Sequence, residues 1–129
     1  MDKRIVQFIR EAAQTIIGLD LALYLQANPK TFDTAAGLAL RLRHPVEAVE
    51  PIAERFVEHG IMRKVISRDS SYHCYTLQRT PKVWNLLCLI SETYIDDPET
   101  RKAIVKLLIR RQGNQRASQA TESESLPPN

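Results

Sequence analysis

The side chains that could do chemistry in this chain are charged, and they are sorted by sign. Residues 46–59 carry Glu47, Glu50, Glu54 and Glu58 against Arg55 alone, a local charge of −3, whereas residues 60–82 carry Arg63, Lys64, Arg68, Arg79 and Lys82 against Asp69, a local charge of +4. Cations in the second stretch, with Arg41 and Arg43 just before the first, are the groups that displace counterions from a phosphate backbone. Carboxylates repel that backbone, although one or two could accept a hydrogen bond from cytosine N4. The soft and imidazole ligands, His44, His59, His73, Cys74 and Cys88, follow no CxxC or HxxxH spacing, so no metal site is expected. With four glycines, the chain has no glycine-rich phosphate loop. It also lacks a nucleophile elbow and paired catalytic carboxylates, so binding rather than catalysis is expected and no cofactor is implied.

The elements that must position these charges are legible in residues 34–77. From an N-cap at Asp33 or Thr34, Leu38, Ala39 and Leu42 share one helical face and leave Arg41 and Arg43 outward. His44 precedes Pro45 and is pushed out of helical geometry, which breaks the helix. In the next segment Val49, Ile52, Ala53 and Phe56 fall at i, i+3, i+4 and i+7, and Gly60 ends it. Pro51 lies inside that segment, where a proline removes a backbone bond, so this helix should either kink or begin at Pro51. IMRKVIS and YHCYTL, joined by RDSS, read as a hairpin, with Tyr75 and Leu77 facing the core and Tyr72 the opposite side.

Helix, tight turn, helix and hairpin resemble the winged helix-turn-helix superfamily, in particular small bacterial and archaeal regulators of the arsenical-repressor-like and multiple-antibiotic-resistance-repressor-like groups. The likeness rests on Ala39, on Val49/Ile52/Ala53/Phe56, on the junction GIMRK and on the hairpin exit YTLQRTP, and it spans residues 19–80. It implies a mainly α fold with a small β-hairpin and extra helices at both ends. It also implies a dimeric transcriptional regulator of double-stranded DNA, with Arg41, Arg43, Arg55, Arg63, Lys64 and Arg68 as the contacts, mostly to phosphates. The acidic row supports an alternative, in which residues 47–58 dock on a basic protein partner without DNA. Each feature also has a plain explanation: edge strands often carry Lys and Arg to prevent edge pairing, and glutamates mark the solvated side of a helix.

The rest of the chain frames this unit. Residues 3–17 read as an amphipathic helix and residues 19–27 as the first core helix, apolar on nearly every side. Beyond the hairpin, Thr80 and Pro81 open a helix bearing Val83, Leu87, Ile90 and Tyr94, and a last helix follows Asp97-Pro98. The expected organisation is an N-terminal dimerising helix over 1–18, the winged unit over 19–80, C-terminal packing and dimerising helices over 81–112, and a disordered tail over 113–129. Apolar faces on the added helices favour a homodimer, and a pocket between them would take Trp84 and Tyr94 as lining. At +3 overall and 43% hydrophobic, with no secretory signal and no long apolar run, the chain is expected in the cytoplasm, its two cysteines reduced.

Overall fold

The computed structural model describes residues 1–110. The chain opens with α1 (Lys3–Phe8), capped by the Asp2 carboxylate, and runs without a break into a π-helical turn, Ile9–Ala13. Gln14 then adopts left-handed geometry (φ 59°), and Thr15 caps α2 (Ile16–Ala27) by accepting from the Gly18 amide. The continuous helix expected over 3–17 is therefore two. Ile16 and Ile17 belong to α2, and Gly18 lies within that helix. Gly18 is what permits the turn, since a Cβ there would sit 2.1 Å from the Ala13 carbonyl oxygen.

The sheet has three antiparallel strands in the order β1-β3-β2, not the two of a simple hairpin. β1 (Phe32–Thr34) pairs with β3 (His73–Leu77), which pairs in turn with β2 (Met62–Ile66). A strand of three residues has no periodicity of its own; what fixes it is β3, whose buried Thr76 hydroxyl donates to the Thr31 carbonyl at 2.8 Å. Thr34 caps α3 (Ala35–Leu42), and α4 (Val46–Glu58) follows across a turn in which Arg43 takes φ 59°. α4 starts at Val46 and passes through Pro51, so a start at Pro51 is overturned: Val49, Ile52, Ala53 and Phe56 are all buried and hold the helix on both sides of the proline. α5 (Pro81–Asp96) is capped by Thr80 as expected, and α6 occupies residues 98–110 behind an Asp97 cap.

One core joins all of these. Ile5, Phe8 and Ile9 of the first helix meet Leu21 and Leu25 of α2, Phe56 of α4 and Leu87 and Ile90 of α5, with Phe8 and Phe56 rings tilted at 5.7 Å. Tyr75 and Leu77 are buried and Tyr72, just before the strand, is exposed, but Thr76 between Tyr75 and Leu77 is buried as well, because β3 is the central strand and is covered on both sides. The architecture is mainly helical with a small antiparallel sheet, a winged helix with added helices at both ends. The tail expected over 113–129 lies outside the described residues. No helix among the described residues is long and apolar enough to cross a membrane.

Candidate nucleic-acid interface

Three elements would form a reading surface in this fold: the α3–α4 turn, α4 itself and the β2–β3 wing. The turn is fixed from both sides. His44 donates its amide to Ala39 O, and its ring Nε2 lies 3.0 Å from Asp20 Oδ2 on α2. Arg43, left-handed and exposed, projects from this turn and has no ion pair among the described residues. Arg41, two residues earlier, donates from Nε to Asp33 Oδ2 at 3.0 Å and stays 61% exposed.

The polar side chains of α4 fall into two groups. Glu47, Glu50 and Glu58 are exposed and, with Pro51, form one outward stripe. The other two are committed to partners on neighbouring elements. Arg55 turns away from the stripe and donates from Nε to Ala12 O at 2.6 Å and from Nη2 to Ala13 O at 2.9 Å, closing the carbonyl end of the π turn. Glu54 accepts from Lys64 Nζ and from the Tyr75 hydroxyl, both at 2.5 Å. The Lys64 ammonium, then the Tyr75 hydroxyl, hold the Glu54 carboxyl below its ordinary value, while burial first and Glu54 second push the Tyr75 phenol up. Lys64 also lies over the Tyr75 ring, 5.7 Å from its centre. The result is a clasp between α4 and the root of the wing.

The wing tip is built on Asp69. Its Oδ1 accepts from the Ser67 hydroxyl at 2.8 Å and from the Ser71 hydroxyl at 2.6 Å and amide at 3.1 Å, with Ser70 at φ 60°. The serine donors hold the Asp69 carboxyl down to about 2, Ser71 contributing most. Asp69 is thereby spent on the turn, and Arg68 beside it is exposed with no ion pair among the described residues.

Arg63 lies elsewhere. It pairs across from Thr76 at the base of the wing, four residues before the turn, and lines a cleft of about 800 Å³ between α1, the α4–β2 junction and the start of α5. Arg4, Lys64 and Lys82 share the rim with Glu11, over a floor that includes Phe8, Val57, Met62 and Leu86. Trp84 and Tyr94, named from the sequence as pocket lining, do not border it; both pack partly buried against the core. The six cations singled out from sequence thus do not form one patch. Arg41 and Arg43 flank the turn, Arg68 marks the tip, Arg63 faces the cleft, and Arg55 and Lys64 bind partners within the fold. Sequence could not place Arg4 at the cleft, because nothing local links residue 4 to residue 63.

Among the described residues no three His, Cys, Asp or Glu side chains are grouped to hold a metal ion, and Cys74 and Cys88 are half-buried and unpaired.

No family model matches this chain, and no curated protein matches it either. Solved structures do. Two structures of a doubly substituted ZitR from Lactococcus lactis, one of them in apo form, superpose with a TM-score of 0.52 each. They are 15% and 14% identical to this chain, over 94% of its length and 89% and 90% of theirs. At that identity the likeness is one of fold, and it takes in the added helices as well as the winged unit.

Proposed function

We propose that this chain is a winged-helix DNA-binding protein, a homodimeric transcriptional regulator that holds the duplex by its phosphates more than by its bases. The observation that carries this reading is the pair of exposed guanidiniums bracketing α4, Arg43 at its approach and Arg68 at the wing tip, neither in an ion pair among the described residues. When the second helix of such a unit enters a major groove, the turn before it and the wing beside it lie against the flanking backbone. Arg41, shared with Asp33, adds a third cation at the same turn. Arg55 and Lys64 take supporting roles, fixing α4 to the π turn and to the wing. Exposed Ile95 and Ile109, on α5 and α6, supply apolar surface for a twofold contact. The protein acts in the cytoplasm, by binding rather than catalysis, and needs no cofactor.

A second reading is favoured by the exposed Glu47, Glu50 and Glu58. In it the same surface docks on a basic protein and DNA is not bound. Fluorescence anisotropy of a labelled random-sequence duplex, titrated at several salt concentrations, separates the two. Salt-sensitive binding that weakens in an R43Q/R68Q variant supports the regulator. No binding at low salt overturns it and leaves the acidic face as the functional one.

A further inference from the structure

We infer that Glu47 and Glu50 are the base-reading residues of α4, and that they select cytosine on the strand they face. The inference rests on the DNA-binding reading above and deepens it.

The argument begins with what α4 has left to offer. Its sole cation, Arg55, is drawn back to the carbonyls of Ala12 and Ala13, so the fork that most often reads guanine does not point outward. Glu54 is held by Lys64 and Tyr75. Glu58 is the last residue of the helix, eleven positions beyond Glu47 and roughly 16 Å along the axis. Base contacts in such units come from the N-terminal part of the reading helix. Glu47 and Glu50, exposed in its first two turns beside the exposed Pro51, are the polar side chains that remain there.

An ionised carboxylate only accepts. In the major groove, guanine presents O6 and N7 and thymine O4, all acceptors, so each repels it. Adenine presents a donor at N6 next to an acceptor at N7, and a two-oxygen group that meets the first is repelled by the second. Cytosine presents the N4 amino group without an adjacent acceptor on the same base, and it is the base that a glutamate accepts from. The acidic stripe, a liability towards phosphates, is therefore a selective element towards bases. Arg43 and Arg68 supply the backbone attraction that the stripe lacks.

Turning a carboxylate into a carboxamide tests this directly. Glutamine donates as well as accepts, so it matches adenine N6 and N7 together. Random-sequence duplexes would be enriched on the full chain and on the E47Q, E50Q and E58Q variants, and the selected sites sequenced and titrated. The wild-type protein is expected to enrich cytosine, with about a tenfold preference over adenine at the contacted position. E47Q or E50Q should reverse that preference towards adenine, and E58Q, which removes the same charge at the far end of the helix, should keep it. Duplex binding with the same base preference in E47Q, E50Q and wild type would overturn the inference and leave the DNA reading standing. No duplex retained by the wild-type protein at low salt would overturn the DNA reading itself, and this inference with it.

Discussion

Arg55 Nε lies 2.6 Å from Ala12 O, forty-three residues earlier in the chain, and so α4 is fastened to the helix before the winged unit. The helix ends at Ala13 and leaves its last carbonyls without intrahelical donors, and one guanidinium bonds to two of them at once. R55A should therefore destabilise the fold, by about 2 kcal/mol for the loss of charge-assisted bonds at a half-buried site. R55K should recover only part of this, because an ammonium has no fork. Urea denaturation of the three proteins is the check, and equal midpoints would refute the role.

The Glu54 clasp gives a pH dependence of definite sign. Because Lys64 and Tyr75 hold the folded-state carboxyl below its ordinary value of 4.5, its contribution is complete above that value and is lost as the pH falls through the lower, folded one. E54Q should accordingly be less stable than wild type at pH 7, and the gap should close in the acid range below 4.5. The side chain is 40% exposed, so solvent limits the difference to about 1 kcal/mol or less. Thermal melts of both proteins across that range measure it; a gap that stays constant with pH would exclude the clasp as its source.

Gly18 is pressed against backbone that cannot give way. An alanine Cβ there would meet the Ala13 carbonyl carbon at 2.7 Å as well as its oxygen at 2.1 Å, and both are backbone atoms that cannot swing aside. G18A should cost about 1–3 kcal/mol through the displacement of one helix from the other. Chemical denaturation reads this cost. Full stability in G18A would mean that the two helices part without penalty.

What the sequence made legible, and what it hid, divides by range. Val49, Ile52, Ala53 and Phe56 are buried as their spacing requires, and Thr34 and Thr80 cap the helices they precede, because each signal is written within a turn or two. β1 was hidden since Phe32, Asp33 and Thr34 become a strand only by pairing with Thr76, Tyr75 and Cys74. The break at Gln14 and Thr15 was masked by apolar residues that continue in phase on both sides of it. At the site, the exposure of Arg41 and Arg43 followed from helical spacing. The inward turn of Arg55 and the capture of Lys64 by Glu54 depend on partners in other elements, and composition counts such cations as though all were available.

The proposed dimer predicts a specific weakness. Ile95 is 63% exposed and Ile109 55% exposed, on α5 and α6, where a lone subunit gains nothing from them. An I95E/I109E variant should keep its fold, since neither side chain is in the core, yet run at half the mass of wild type in light scattering. Duplex affinity should fall with it, because two linked units hold DNA more tightly than one. A wild-type protein that is monomeric at tens of micromolar would refute this contact.

Arg43 separates binding from stability most cleanly. Its φ of 59° places a side chain in the left-handed region, at a cost of about 1–2 kcal/mol that glycine avoids. Glycine returns part of that gain through the greater freedom of its unfolded chain. R43G should therefore leave stability within about 1 kcal/mol of wild type while removing one cation from the phosphate backbone. The slope of log affinity against log salt should become shallower by about 0.9 for each phosphate that is no longer neutralised. R68Q should act alike, and K64Q should not, because Lys64 is held by Glu54. Equal slopes in wild type, R43G and R68Q would remove both arginines from the interface, and with them the observation on which the DNA reading stands.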